Sequence, residues 1–212
     1  MKVMLVGATG LVGGHVLRQL LDDPRCDAVI APTRRALETT DAALLNPVVD
    51  FAQLPAGADW WAVDAVICAL GTTIKQAGSK EAFARVDHDF PLAVARLARD
   101  HGAHAFALNS AMGADPGSRI FYNQVKGRLE QDLRELGYPS LTLVRPGLIG
   151  GERAERRTGE HLASVVLGVL GPLLPRAWRI NPAGNIAAAL VEAALVPTPG
   201  VRIVGSADLA ER

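Results

Sequence analysis

Apolar positions along the chain follow two alternating patterns. Short, nearly continuous apolar runs at Lys2–Val6, Ala28–Thr33, Ala65–Leu70, Ala103–Asn109 and Ser140–Val144 read as strands buried on both faces, with a weaker run at Pro47–Phe51. Between them the spacing turns helical. Leu11, Val16, Leu17, Leu20 and Leu21 form one stripe, ended by Asp22-Asp23-Pro24. Ser79–His101 predicts a long helix stopped by Gly102, and Phe121–Leu136 predicts another stopped by Gly137. Short apolar helices at Leu162–Leu174 and Ile186–Val196 and a last strand near Val201–Val204 follow. Strands that alternate with helices in this way predict the α/β class, a doubly wound parallel sheet covered on both sides. Residues 1–212 then form a single domain, with 148–212 as a small C-terminal elaboration.

Composition narrows the partners. A chain of 212 residues that is 49% apolar and 21% charged can bury a core. Lys plus Arg and Asp plus Glu both number 22, so the net charge is zero and no basic run suits nucleic acid. The longest apolar runs fall short of the roughly 18 residues that span a bilayer. Lys2 followed by apolar residues resembles a short signal peptide, but Gly7, Gly10, Gly13 and Gly14 interrupt it, so the chain is expected to be cytoplasmic. Cys26 and Cys68 lack metal or disulfide spacing and read as inert core thiols. His101 and His104 lack a carboxylate pattern to complete a site, so no metal is expected. Nothing in the pattern separates a monomer from a homo-oligomer.

Gly7-Ala8-Thr9-Gly10-Leu11-Val12-Gly13 lies where the first strand meets the first helix. There Gly7 permits the sharp turn, Gly10 lets a pyrophosphate approach the backbone, and Gly13 lets helix and strand pack closely. Free amides of Leu11 and Val12 at the helix start suit phosphate, with Thr9 in the same turn. No Lys-Ser or Lys-Thr pair follows, which excludes a nucleotide-hydrolysing phosphate loop. After the second strand stand Thr33-Arg34-Arg35, with no acid before Glu38. Guanidinium groups suit a ribose 2′-phosphate where a carboxylate would suit a 2′-hydroxyl. The expected cofactor is therefore NADP(H) ahead of NAD(H), with Arg34 as main contact and Arg35 beside it. The competing readings are a tight turn without ligand and arginines that merely solvate a helix start.

Tyr122-Asn123-Gln124-Val125-Lys126 sets a phenol and an ammonium four apart on one helix face, in a chain with only 2 Tyr and 4 Lys. Hydride reduction of a carbonyl leaves an oxygen that needs a proton, and a lysine cation eases its release from tyrosine. Ser110, at the end of the fifth strand, is placed to donate to the same oxygen. It lacks the flanking glycines of a hydrolase nucleophile elbow. The plainer reading of the pair is a packed tyrosine beside a solvated lysine.

Together these features resemble the short-chain dehydrogenase/reductase superfamily. The shared motifs are Gly7–Gly13, Thr33-Arg34-Arg35, Cys68–Thr73, Val86-Asp87, Ser110–Asp115, Tyr122–Gly127 and Val144–Gly147. The finer pattern looks like an atypical branch, the Tat-interacting-protein-like (CC3-like) group, over about the first 160 residues. The resemblance implies a Rossmann-like NAD(P)-binding fold with Ser110, Tyr122 and Lys126 as catalytic candidates. It also implies that Leu70, Gly71 and Thr72 line the cofactor and that Pro146 lies near the nicotinamide. Asp87 stands where many members have an asparagine, and an acid there would pair with Lys126. Only about 65 residues follow Gly147, few for holding a large sugar nucleotide. The activity so implied is NADP(H)-dependent interconversion of a small carbonyl and its alcohol. A second expectation is an NADPH-binding sensor or interaction protein with little turnover, and a third is a reduced nucleotide-sugar epimerase or dehydratase.

Overall fold

Seven strands pair in parallel, as runs apolar on both faces require. The computed structural model describes residues 1–150 and 179–210. In chain order the strands and helices are β1 (Lys2–Val6), α1 (Leu11–Asp22), β2 (Ala28–Ile30), β3 (Leu44–Leu45), β4 (Ala65–Cys68), α2 (Ile74–Ala77), α3 (Lys80–Ala84) and α4 (Phe90–Asp100). Then follow β5 (Ala105–Asn109), α5 (Phe121–Glu135), β6 (Ser140–Arg145), β7 (Ile149–Gly150), β8 (Asn181–Pro182), α6 (Ala183–Leu195), β9 (Gly200–Gly205) and α7 (Ser206–Leu209). The sheet order is β3-β2-β1-β4-β5-β6-β9, and β7 with β8 forms a separate two-stranded ladder. On one face Val3, Leu5, Ile67 and Ala107 pack against α1 and α6; on the other Met4, Val6, Phe106, Leu108 and Leu141 pack against α4 and α5. This is the doubly wound α/β architecture that the strand and helix pattern predicts.

The differences from the predicted elements have local causes. β2 ends at Ile30 rather than Thr33 because Pro32 has no N–H for the ladder. Thr33 instead forms an isolated parallel bridge with Val48, and the third strand lies at Leu44–Leu45, ahead of the Pro47–Phe51 run. The long helix from Ser79 to His101 is divided. A wide π-turn at Arg85–Asp89 separates α3 from α4, closed by the bond from Phe90 N–H to the Arg85 carbonyl. Pro91 accounts for it, since a proline can neither donate to the carbonyl four residues back nor tolerate its approach. The predicted helix at Leu162–Leu174 lies outside the described residues.

Close approach explains two of the N-terminal glycines. Gly7 adopts φ +92°, and a Cβ there would stand 2.5 Å from the Ala69 carbonyl carbon at the end of β4. At Gly13 it would stand 2.0 Å from the Gly7 carbonyl oxygen. Cys68 is fully buried and its thiol is pushed up to about 11 by desolvation, while Cys26 is half-buried; both are unbridged. Among the described residues no helix is long and apolar enough to cross a membrane. Gly13→Ala is expected to destabilise the chain by roughly 3 kcal/mol, because the obstructing atom is backbone and cannot swing aside. A urea midpoint equal to that of the parent would contradict this.

Candidate active site

The candidate residues gather along the carboxyl edge of the sheet because each lies just after a strand. In sheet order they are Arg34 and Arg35 after β2, Gly7–Gly13 after β1, Leu70–Thr72 after β4, Ser110 after β5 and Pro146 after β6. The strand order reverses beside β1, and open α/β sheets bind ligands in the crevice made there. α1 starts at Leu11, and Gly10 before it brings no side chain to cap the first amides. A Cβ on Gly10 would meet only the Gly7 carbonyl oxygen, at 3.3 Å, so the space beside this turn is open. The buried Oδ1 of Asn109, at the end of β5, also lacks a partner. A helix start without a side-chain cap, set beside the crevice, fits a phosphate, and the Asn109 oxygen suits a hydroxyl or amide donor of the same cofactor.

The arginine turn is held by a residue the sequence did not single out. Asn46 donates from Nδ2 to the Ala31 carbonyl (2.6 Å) and to Thr33 Oγ1 (2.8 Å), and its Oδ1 accepts from Leu37 N–H (2.7 Å). Thr33 Oγ1 in turn donates to the Arg35 carbonyl at 2.6 Å. Arg34 and Arg35 stand exposed on this braced turn.

α5 carries Tyr122, Lys126 and Glu130 at four-residue intervals, hence on one face. Tyr122 is 36% exposed, and its ring packs 5.7 Å from that of buried Phe83 on α3. Lys126 is 4% exposed and its Nζ lies 2.9 Å from Asp87 Oδ1. Asp87 Oδ2 accepts from Thr72 N–H at 2.8 Å, tying the loop after β4 to the π-turn. Burial opposes the Lys126 charge, but Asp87 and then Tyr122 outweigh it, holding the ammonium above its ordinary pKa. The acid predicted to pair with the lysine does so.

Ser110 is arranged differently from expectation. Its hydroxyl donates to Glu130 Oε1 at 2.6 Å, and Glu130 is gripped by Arg145 through Nε (2.9 Å) and Nη2. Glu130 is 1% exposed. Ser110 and Tyr122 nevertheless line one cavity of about 360 Å³, completed mainly by Met112, Pro146, Leu148 and Ile149. Asn181 pins its far wall, accepting from Gly147 N–H at 2.8 Å and from Ser206 Oγ at 2.9 Å. The Gly- and Arg-rich stretch 150–159 lies outside the described residues apart from Gly150.

No family model matches the chain. Among curated relatives, "Protein fmp52, mitochondrial" of Emericella nidulans is 36% identical over 177 residues, covering 80% of this chain and 76% of that protein. "Protein HTATIP2" of Rattus norvegicus is 37% identical over 181 residues, covering 84% of this chain and 73% of that protein. The chain belongs to the family of fmp52 and HTATIP2. Solved structures extend the fold further. MoeE5, in complex with UDP-glucose and NAD, superposes with a TM-score of 0.74 at 16% identity, over 97% of this chain and 76% of that one. The PhqB reductase domain from Penicillium fellutanum gives 0.66 at 20% identity, over 96% and 66%.

One expectation is corrected by the family. The fungal fmp52 relatives are named mitochondrial, so the cytoplasmic expectation does not stand. It rested on the want of a secretory signal and of a bilayer-spanning run, and neither feature distinguishes the cytosol from an organelle interior.

The sequence missed Asn46, Phe83, Glu130 and Asn181. Glu130 had a signal, one helical turn beyond Lys126 on the Tyr122 face. The buried pair of this fmp52- and HTATIP2-like chain can be tested directly. Asp87→Leu strands the Lys126 ammonium and should cost about 3–5 kcal/mol at neutral pH. In the parent the raised lysine contributes fully below the unfolded-lysine range near pH 10.4 and loses that contribution only above its folded value. In the variant the sign reverses, so the deficit measured by urea unfolding should shrink between pH 7 and pH 9.5. A deficit independent of pH would show that Lys126 is not the group left stranded.

Proposed function

We propose that the chain is an NADP(H)-dependent oxidoreductase that interconverts a carbonyl and an alcohol on a small, largely apolar substrate. The observation that supports this best is the succession along one sheet edge of arginine turn, glycine turn, Thr72 loop and Ser110–Tyr122 cavity. Gly7, Thr9, Gly10, Leu11, Val12 and Gly13 would hold the cofactor's pyrophosphate, Arg34 and Arg35 its 2′-phosphate, Leu70, Gly71, Thr72 and Pro146 its nicotinamide half, and Lys126 its ribose. When bound, that cofactor supplies or accepts the hydride.

The chain's own residues manage the proton. Reduction of a carbonyl leaves negative charge on the substrate oxygen, and Tyr122 gives that oxygen its phenolic proton. The Lys126 ammonium, 4% exposed, stabilises the phenolate so formed, and the low local dielectric strengthens the effect. Asp87 keeps Lys126 charged, while its own negative charge tempers the field at Tyr122. In the oxidative direction the same phenolate withdraws the alcohol proton. Ser110 binds the substrate oxygen from the cavity wall, and Met112, Leu148 and Ile149 favour an apolar body around it.

A second reading is a cofactor-dependent binding protein with little turnover. Two observations favour it: Lys126 is already paired with Asp87, and the Ser110 proton is already committed to Glu130.

Calorimetry should find NADPH bound more tightly than NADH, with Arg34→Ala weakening NADPH about tenfold and leaving NADH nearly unchanged. Equal affinities in the parent would remove the 2′-phosphate assignment. Tyr122→Phe should abolish NADPH oxidation across a panel of small aldehydes and ketones while keeping NADPH affinity. Full activity in that variant would sink the proton-transfer assignment. NADPH binding by the parent without oxidation by any carbonyl would favour the second reading.

A further inference from the structure

Glu130 lies deep behind Ser110, away from any role in the proton transfer described above. A serine hydroxyl has one proton to donate and two lone pairs to accept with. Here the proton is directed at Glu130 Oε1 over 2.6 Å. Glu130 is fixed in turn from two sides, by the Arg145 fork and by Arg134 Nη2 at 3.4 Å from Oε2. Turning the Ser110 hydroxyl toward the cavity would remove a hydrogen bond from a carboxylate at 1% exposure, where water cannot replace it. Ser110 therefore offers the cavity its lone pairs.

We infer that Glu130 is a positioning residue that makes Ser110 a hydrogen-bond acceptor toward the cavity, so that the group recognised there is a donor, a substrate hydroxyl rather than a carbonyl. This rests on the proposed reading of the Ser110–Tyr122 cavity as the substrate site. A ketone oxygen has only lone pairs to set against those of Ser110, whereas an alcohol can donate to Ser110 and still accept from Tyr122. The overall equilibrium of a reaction is unaffected by such a preference. It appears instead as a difference in binding between alcohol and ketone, and it makes the alcohol the more tightly held partner.

Glu130→Ala tests the arrangement because it removes both carboxylate oxygens. No acceptor then stands behind Ser110, and its proton is free to turn toward the cavity. The measurement is calorimetric binding of cyclohexanol and cyclohexanone to the full chain stripped of nucleotide, so that neither probe turns over. The parent should bind the alcohol about five- to tenfold more tightly, the worth of one added hydrogen bond. Glu130→Ala should bring that ratio close to one, and so should Ser110→Ala. Should Glu130→Ala fail to fold, the parent and Ser110→Ala decide between them. The inference is overturned if the parent binds the ketone as tightly, binds neither probe, or keeps its preference in either variant. Absence of NADPH binding or turnover, with the alcohol preference intact, would instead overturn the oxidoreductase reading alone.

Discussion

A lysine at 4% exposure keeps its charge only while an anion stays beside it, and most of the site is arranged around meeting that condition. Asp87 supplies the anion with one oxygen and holds Thr72 N–H with the other. One carboxylate thus joins three segments far apart in sequence: α5, the π-turn before α4, and the loop after β4. Tyr122 stands one helical turn before Lys126, and Glu130 one turn after it. Fixing the middle of that stripe fixes both ends, the phenol at the cavity mouth and the second carboxylate behind Ser110. α5 works as a ruler whose divisions meet three different neighbours.

The two buried carboxylates are handled by different chemistry. Asp87 faces an ammonium, a compact charge with its donors spread in space, and adds one backbone N–H. Glu130 faces the planar fork of Arg145, which takes both oxygens and leaves Oε1 with capacity for the Ser110 hydroxyl. An ammonium in place of that fork could not hold the carboxylate plane so firmly. The orientation of Ser110 thus derives from the end of β6, where Arg145 emerges, as much as from α5.

Much of the fold was legible because its constraints are local or periodic. Strands buried on both faces must be apolar throughout, and backbones that nearly touch at Gly7 and Gly13 exclude a side chain. Such requirements leave marks that survive wide divergence, and MoeE5 keeps the architecture at 16% identity. Tyr122 and Lys126 were legible because a four-residue spacing within a helix is a statement about space. Asn46, Phe83, Glu130 and Asn181 were not, since each acts on a residue from another segment, and which segments meet is settled by packing. Asn46 is thirteen residues from Thr33 and Asn181 thirty-four from Gly147, with nothing local to pair them. The strand boundaries near Pro32 and Pro47 moved for a simpler reason. Apolar character there predicts burial, but missing N–H groups decide where a ladder can form.

Pro91 gives the π-turn a meaning beyond its local geometry. An α-helix advances about 100° per residue, so one additional residue within a turn shifts everything before it by that angle relative to everything after. Asp87 lies within the widened turn, with α3 and the Phe83 seat of Tyr122 on one side and the core-packed α4 on the other. A shortening by one residue that restored a regular helix would turn α3 about its axis while α4 stayed packed on the sheet. Phe83 and Asp87 would then face different directions, and the chain would keep its sheet while losing its site. The segment 85–89 is thus a place where length, more than residue identity, is under constraint.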